Sequence, residues 1–486
     1  LRRRRKSRSS TLPGIAAFLR FTPSASFAVK LASTMNTTDT IAAPATAPGE
    51  AALALLRVSG PEVPRLLKAI FSADDPPPPR QATLAAYRDR DGTLLDHLLY
   101  TWFAEGRSST GEPLLELTPH GNPYLVRKIL DDLLARGCRL AEGGEFTRRA
   151  FLNGRLDLSQ AEGVLQLIRA RSDRALQAAR RQLAGSVGRI VDDLVERLLQ
   201  LTAETEAYID FPEEDLPPEE EEGPLRSLDA LLRDIDGLIA TRRYSDLLHD
   251  GIKCVILGEP NVGKSSLLNA LTGEDRVLVS AEPGTTRDYV EERILIGPYL
   301  LRVIDTAGLH EAASALEEAG IARSREQIES ADLLLVVLDA TRPSPTLPAA
   351  VQEVLRKRQT LVLENKCDLA EAPAHAAFAP AIPHLAVSAT TGDGLPGLRD
   401  RIRQSIEEGL LIPESEAVLV SARHAHALAD ARERLRAARR LLRDGEATEL
   451  VASEIHAAVH ALGRITGKVD PEAVLDHLFA SFCIGK

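Results

Sequence analysis

The stretch GEPNVGKSS, residues 258–266, combines glycines, a lysine and serines at the spacing G-x-x-x-x-G-K-[ST]. It follows the apolar run KCVIL and opens the helical pattern SSLLNALTG. In that context, backbone N–H groups of a loop and the N-terminus of a helix can hold phosphate oxygens. Lys264 is then predicted to reach the β- and γ-phosphates of a nucleotide, and Ser265 to ligate Mg²⁺.

Motifs that would complete a guanine-nucleotide site follow in order. In GTTRD, Thr286 would reach the metal from a switch loop. DTAG ends an apolar strand, which places Asp305 near Mg²⁺ and the Gly308 amide near the γ-phosphate. NKCD ends another strand, where the Asp368 carboxylate can accept both N–H donors of guanine. With SAT (388–390) as the remaining base-side loop, the ordered set predicts a GTPase.

The catalytic water needs a polar group that DTAG does not supply. Leu309 follows this motif, where a glutamine could have oriented the attacking water. Asn261 in the phosphate loop and Glu317 beyond DTAG are the preferred candidates, and Arg287 is an alternative as an arginine finger. The competing interpretation of Glu317 is that it is one acid of an exposed helix start.

Alternating strand and helix patterns must position these motifs. Apolar runs such as ADLLLVVLDAT and QTLVLENKCD alternate with helical segments, which predicts a parallel α/β sheet. The predicted fold is an α/β P-loop domain inserted in an all-α helical domain and preceded by a small α+β domain. The predicted boundaries are an extension outside the domains at 1–34, the α+β domain at 35–154, the helical parts at 155–250 and 411–486, and the α/β domain at 251–410.

Composition narrows the class of protein. Hydrophobic content of 44% and charged content of 27% are typical of globular domains, and no run approaches the ~20 apolar residues of a membrane span. The four cysteines lie more than 100 residues apart without a CxxC pair. This pattern disfavours a zinc site or a disulfide-stapled secreted domain, and favours reduced thiols in the cytoplasm.

The first 34 residues differ from the rest, because they carry eight lysines and arginines and no acid. Such a composition is typical of an organellar transit peptide. The preferred interpretation is instead that translation starts at Met35, the only methionine. Because the whole chain carries −11 and this segment +8, the remaining residues carry −19. A nucleic acid would therefore have to bind at a local basic patch or through a partner.

Beyond these motifs, residues 39–486 resemble one family, the tRNA-modification GTPases MnmE (TrmE) among the TrmE-Era-EngA-like P-loop GTPases. The resemblance is carried by LLRVSG, STGEPLLELTPHG, GEFTRRAFLNGRLDLSQAE, YIDFPEE, GEPNVGKSSLLNAL, GTTRD, DTAGLHE and the terminal FCIGK. It implies a homodimer, formed through an N-terminal domain like tetrahydrofolate-binding folds. It also implies an FAD-containing MnmG partner, with which an aminomethyl or carboxymethylaminomethyl group is added to C5 of the wobble uridine of certain tRNAs. A 5-formyl- or 5,10-methylene-tetrahydrofolate would supply the one-carbon unit.

The resemblance also assigns residues. It implies folate contacts at Arg57, Glu116, Arg155 and Lys486, and K⁺ contacts at Asn261, Ser280, Glu282 and Thr285. Mg²⁺ would take Ser265 and Thr286, and Glu317 would orient the hydrolytic water. Lys264, Asn261, Glu317 and Cys483 are the catalytic candidates. The expected GTP-binding residues are Asn261, Val262, Gly263, Lys264, Ser265, Ser266, Ser280, Ala281, Glu282, Pro283, Gly284, Thr285, Thr286, Asp305, Thr306, Ala307, Gly308, Asn365, Lys366, Asp368, Ser388, Ala389 and Thr390.

Several interpretations stay open. Cys483 either acts as a nucleophile towards C6 of the uracil, or assists there, or only packs the site. Two alternative functions are an RNA-associated ribosome-assembly GTPase and a nucleotide-gated scaffold. His456 and His460 have a spacing close to that of a zinc helix but lack an obvious third ligand. The arginine-rich segments 169–189 and 423–443 are either tRNA patches or solvated helix faces.

Overall fold

A computed structural model describes residues 39–71, 77–210, 223–273, 291–305, 327–345, 349–370, 375, 378–410, 418–469, 475, 478, 479, 482, 484 and 485. The chain divides into two compact units. One comprises the residues up to Ala161 together with those from Gly467 onward, and the other runs from Glu162 to Thr466.

The N-terminal unit is built on a six-stranded sheet with the order β4-β5-β6-β3-β1-β8. Its interior is filled by Leu56, Val58, Leu115 and Leu117 from the sheet, against Ile129 and others from the helices. The opposite face of the sheet holds Ile41 and Ala43 against Ala141 and Phe146. The strands are β1 Ile41–Pro44, β2 Ala51–Leu53, β3 Leu56–Ser59, β4 Thr83–Arg88, β5 Leu94–Phe103, β6 Leu114–Thr118, β7 His120–Gly121 and β8 Arg139–Leu140, and the helices are α1 Val63–Phe71, α2 Pro123–Ala135 and α3 Glu145–Leu152. Helix α4, Leu158–Arg169, begins in this unit and continues into the second.

The run ALALLRVSG, which reads as one strand, forms two. Residues of β2 pair with β7 in a separate two-stranded ribbon, whereas β3 enters the large sheet between β1 and β6. The three residues of β2 are exposed, and the apolar residues Leu56 and Val58 of β3 are buried.

The C-terminal segment, from Gly467 onward, belongs to this N-terminal unit. Gly143 forms an isolated antiparallel bridge with Ile484. The Phe479 and Phe482 rings lie 5.4 Å apart. Gly485 adopts φ +93°, and a Cβ there would lie 2.1 Å from the Pro44 carbonyl oxygen. Only glycine fits this close approach of two backbones.

The second unit combines helices with a parallel sheet. The sheet order is β10-β11-β9-β12-β13-β14, and all pairs are parallel except the β10–β11 edge. This confirms the predicted parallel α/β architecture. The strands are β9 Ile252–Leu257, β10 Glu291–Ile296, β11 Tyr299–Asp305, β12 Leu333–Asp339, β13 Gln359–Asn365 and β14 His384–Val387, and the helices are α5 Asp173–Leu183, α6 Ser186–Asp210, α7 Gly223–Asp250, α8 Lys264–Thr272, α9 Ala349–Lys357, α10 Leu395–Gly409, α11 Ala422–Arg443 and α12 Thr448–Thr466.

Helices from before and after the sheet share one hydrophobic core. Leu194 and Leu231 from α6 and α7 belong to the same buried cluster as Leu428 and Ile455 from α11 and α12. The long helical pattern that begins near residue 156 is divided into α4, α5 and α6. Ser172 caps the N-terminus of α5, since its hydroxyl accepts from the Ala175 amide, and Gly185 at φ +80° separates α5 from α6. None of the helices in the described part of the chain is long and apolar enough to cross a membrane.

Candidate nucleotide site

The phosphate loop connects β9 to α8 at the carboxyl edge of the parallel sheet. Its last residue, Gly263, has φ +96°, and a Cβ there would lie 2.3 Å from the Asn365 amide nitrogen. The loop therefore needs glycine at this position both for its backbone conformation and for contact with the base-side residue Asn365. The loop leads directly into the first turn of α8, where Ser265 and Ser266 are exposed.

Lys264 turns back into the loop. Its ammonium group is buried and donates hydrogen bonds to the carbonyl oxygens of Gly258 at 3.0 Å and Glu259 at 2.8 Å. The charge is thus held within the loop, beside the helix N-terminus that would also attract phosphate oxygens.

Asn365 joins the phosphate loop to the base-side loops. Its side-chain amide nitrogen donates to the Val262 carbonyl at 2.8 Å, and its side-chain oxygen accepts from the Ala389 amide at 3.0 Å. One side chain at the end of β13 therefore fixes two loops that the sequence assigned to opposite ends of the nucleotide.

Lys366 makes a second connection. Its ammonium donates to the Asn261 carbonyl at 3.1 Å and to Asp339 Oδ2 at 2.7 Å. Both Asn261 and Lys366 adopt left-handed backbone conformations, at φ +66° and +64°. These uncommon conformations require support from their surroundings, which the hydrogen bonds supply.

Asp339 is a site residue that none of the sequence motifs includes. It ends β12, is almost fully buried, and accepts from the Thr341 amide at 3.0 Å and hydroxyl at 2.6 Å. Burial alone would raise its pKa, but the hydrogen bonds from Lys366 and Thr341 lower the pKa to about 2. The available signal was the position of this aspartate at the end of a buried strand next to the strand that ends in NKCD.

The remaining base-side residues lie around the NKCD strand end. Asp368 is exposed in the short 3₁₀ turn Cys367–Leu369, so its carboxylate is accessible to a base. Ser388 is buried, and its hydroxyl accepts from the Thr391 amide at 3.1 Å, while Thr390 is exposed. The backbone of Asp305 ends β11 beside Ile256 of β9.

Several predicted residues lie outside the described part of the chain: Ser280, Ala281, Glu282, Pro283, Gly284, Thr285, Thr286, Thr306, Ala307, Gly308, Glu317, Cys483 and Lys486. The metal and water-orienting roles assigned to these positions stay predictions.

The N-terminal unit brings two of the four expected folate residues together. Arg57 and Glu116 are direct cross-strand partners of β3 and β6, and the Arg57 Nε donates to Glu116 Oε1 at 3.0 Å. Both side chains are about one-quarter exposed. Arg155 lies after α3 and is exposed, with its backbone amide bonded to the Ala150 carbonyl at 2.8 Å.

The pair of histidines at 456 and 460 lies within α12. Across the described ranges, no group of three or more His, Cys, Asp or Glu side chains is arranged to hold a metal ion.

A phosphate loop, a strand-end aspartate and an NKCD loop at one edge of a parallel sheet define a P-loop GTPase domain. Two family models match the chain: GTP-binding protein TrmE N-terminus over residues 40–155 and MnmE helical domain over residues 158–483. The tRNA modification GTPase MnmE of Opitutus terrae is 49% identical over 452 residues, covering 92% of this chain and 99% of that protein. The protein of the same name from Akkermansia muciniphila is 44% identical over 451 residues, with the same shares covered. The chain therefore belongs to the MnmE family of tRNA modification GTPases.

Among solved structures, the G domain of the T. maritima FeoB iron transporter is 31% identical, with a TM-score of 0.26. This match covers 32% of the present chain and 98% of that chain.

Proposed function

We propose that the chain hydrolyses GTP in a potassium-dependent manner. With an FAD-containing MnmG-type partner, it would modify C5 of the wobble uridine of certain tRNAs, using a tetrahydrofolate one-carbon unit. The observation that carries the proposal is that Asn365 and Lys366 lock the phosphate loop to the base loops, in a chain that belongs to the MnmE family. This arrangement supports guanine-nucleotide binding as the driving event of the cycle.

The donors of the phosphate loop fit the ions that the family implies. Mg²⁺ prefers oxygen ligands, and Ser265 presents a hydroxyl in the exposed first turn of α8, to be joined by Thr286. Asn261, exposed in the loop, would hold K⁺ with Ser280, Glu282 and Thr285. The cations would neutralise charge that develops on the phosphates. Lys264 binds phosphate oxygens, Asp368 selects guanine, and Glu317 orients the attacking water.

The surface around Arg57 and Glu116 fits a folate. Folates carry carboxylates and a ring with hydrogen-bond donors, which match a partly exposed guanidinium and carboxylate held at fixed separation. Arg155 and Lys486 would complete the set. Dimerisation through the N-terminal unit belongs to the same proposal, with Cys483 beside the modification chemistry, either as a nucleophile towards uracil C6 or as a packing residue.

GTP turnover measured in K⁺ and in Na⁺ tests the first part. We expect turnover to depend on K⁺ in the parent chain and to lose that dependence in Asn261→Ala. Equal turnover of the parent in both salts would overturn the potassium mechanism. Retention of full turnover by Glu317→Ala would overturn the role of Glu317.

Mass spectrometry of tRNA nucleosides from a strain lacking the protein tests the second part. We expect the C5 modification of the wobble uridine to disappear, to return with the parent gene, and to be reduced with Cys483→Ser while GTP hydrolysis persists. A wobble uridine that lacks the modification in both strains, or one that keeps it in the deletion strain, would contradict the proposed role in tRNA modification. A ribosome-assembly GTPase or a scaffold would then be favoured.

A further inference from the structure

The segment 169–189, which joins the end of α4 to the start of α6 through α5, is strongly basic. It contains six arginines and one acid, Asp173, in a chain whose residues 35–486 carry −19. A local positive field of this kind is the electrostatic footprint expected of a polyanion site.

Arg180 lies away from the packed side of α5, and Arg189 follows in the first turns of α6. The packed side is formed by Ala175, Ala179 and Gln182, which are buried. Arg180 and Arg189 are exposed. Among the residues that the structure describes, no carboxylate forms an ion pair with either of them, and Arg189 donates one hydrogen bond to the Ala184 carbonyl at 2.8 Å. Their charge therefore faces solvent without a described counter-charge.

The second arginine-rich segment, 423–443, differs because its charges are met by neighbouring helices. Arg432 and Arg436 both pair with Asp236 of α7, at 2.9 and 3.5 Å. Arg439 pairs with Asp229 at 2.6 Å. These arginines of α11 connect helices within the bundle, so a high arginine count alone does not make an anion site.

The basic face of α5 continues into a pocket. The pocket is lined by the polar side chains of Arg174, Arg181, Gln177, Ser186 and Tyr244, together with apolar side chains that include Leu248. These five side chains and that of Gln182, the sixth polar residue of the lining, carry N–H or O–H donors, and no acid is among the described lining residues. A pocket of donors without a carboxylate matches the acceptor oxygens of a phosphate group.

We propose that this α5 arginine surface, defined as Arg174, Arg180, Arg181 and Arg189, binds the phosphate backbone of RNA, with one phosphate seated in the pocket. Arg174 and Arg181 lie seven residues apart on α5, about 10 Å along the helix at ~1.5 Å per residue, and Arg189 lies on α6. Charges spread over this length suit a polyanion better than a single small anion. Backbone contacts of this type orient a nucleic acid and supply affinity without reading its sequence. The proposal rests on the proposed function, in which tRNA is the substrate, and adds where its backbone docks.

Binding of unfractionated tRNA to the full chain over a series of salt concentrations tests the proposal. The variant R180Q/R189Q removes two charges from the surface, and R432Q/R436Q removes two from α11 as a matched control. We expect roughly tenfold weaker binding in R180Q/R189Q and a slope of log K against log salt that is smaller by about one per lost phosphate contact. Binding by R432Q/R436Q should stay within about threefold of the parent. GTP turnover without tRNA should be unchanged in both.

The lysine variant R180K/R189K separates charge from folding, since it retains both charges and should retain most of the binding. Loss of binding in R180Q/R189Q that R180K/R189K restores supports the proposal. Parent-like tRNA binding by R180Q/R189Q, or an equal loss of binding in R432Q/R436Q, would show that the α5 arginine surface is not the RNA-binding site. Either result would leave tRNA as the substrate. No tRNA binding by the parent chain would overturn the tRNA part of the proposed function itself.

Discussion

Residues of the nucleotide site come from strand ends of a single parallel sheet, whereas the surface around Arg57 and Glu116 lies in a unit that the last residues of the chain complete. In the first region, Asn365 and Lys366 reach the phosphate loop from a strand two positions away in the sheet. In the second, Ile484 and Gly485 pack against Gly143 and Pro44, more than 300 residues earlier.

The two regions differ in which changes elsewhere in the chain would disrupt them. The nucleotide loops lie at the carboxyl edge of a sheet whose core is local to them, so a defect elsewhere in the chain should spare them. The N-terminal unit depends on a terminal segment, and chain ends are usually the least constrained part of a fold. We therefore expect variants that separate GTP turnover from folate binding in both directions.

The largest separation should come from Lys264→Ala. Removing the ammonium takes away the charge that Gly258 and Glu259 hold inside the phosphate loop. We expect kcat/KM for GTP to fall roughly 10²–10³-fold, with folate binding unchanged. Lys253→Ala is the matched control, because Lys253 begins the same β9 region at the opposite edge and donates to Ser330. GTP turnover in Lys264→Ala within threefold of the parent would contradict the assignment.

The reverse separation should come from Gly485→Val. Its Cβ would meet the Pro44 carbonyl at 2.1 Å, so the terminal segment must move. We expect folate affinity to fall by more than tenfold and carboxypeptidase to remove the terminus faster, with GTP turnover retained. Gly445→Val is the control, since Gly445 also has positive φ, at +70°, but a Cβ there meets nothing within 4 Å. Equal folate affinity in the two variants would show that the tail is not needed.

What the sequence could predict follows the same division. Strands such as β12, LLLVVLD, are nearly continuous apolar runs, and parallel strands present their carboxyl ends at one edge, so the motifs at those ends must meet. Asp339 was not predicted because it belongs to none of the motifs. Its role in the nucleotide site depends on the hydrogen bond that it accepts from Lys366 at the carboxyl edge of the sheet. The helix breaks at Ser172 and Gly185 can be predicted from the sequence, because serine is a common N-cap residue and glycine commonly follows the end of a helix. The docking of Gly485 on Pro44 depends on a tertiary approach that the local sequence pattern does not encode. The family resemblance implied only that Lys486 contacts the folate.

A smaller effect on the nucleotide site is expected for Asp339→Asn. The amide keeps the shape of the side chain but removes the negative charge that holds the Lys366 ammonium. The hydrogen bond from Lys366 to the Asn261 carbonyl, which connects the base loop to the phosphate loop, should weaken as a result. We expect GTP affinity to fall roughly tenfold, since a charge-assisted hydrogen bond contributes about 1.5–3 kcal/mol. Asp332→Asn is the control at the opposite end of β12, where Asp332 accepts from the Lys253 amide. Titration with a fluorescent GTP analogue measures both, and equal affinities would show that Asp339 does not position Lys366.

The smallest predicted effect tests Glu162, where the second unit begins. Its carboxylate accepts from Arg423 Nε at 2.5 Å, lies 2.8 Å from His424 Nε2 and also accepts from the Ser421 hydroxyl at 3.3 Å. Arg423 further donates to the Arg464 and Ile465 carbonyls at the end of α12.

Burial would raise the pKa of Glu162, but His424 and Arg423 lower it from 4.5 to about 2. Because the folded-state pKa is depressed, its stabilising contribution is complete above about pH 4.5 and is lost as the pH falls towards 2. Between pH 7 and pH 4 the parent should lose about 1 kcal/mol of unfolding free energy through this group. Glu162→Gln should lack this pH-dependent loss. The difference in unfolding free energy between the parent and Glu162→Gln, measured by urea unfolding, should therefore be about 1 kcal/mol smaller at pH 4 than at pH 7. A difference that stays constant with pH would show that Glu162 is not ionised through its contacts with Arg423 and His424.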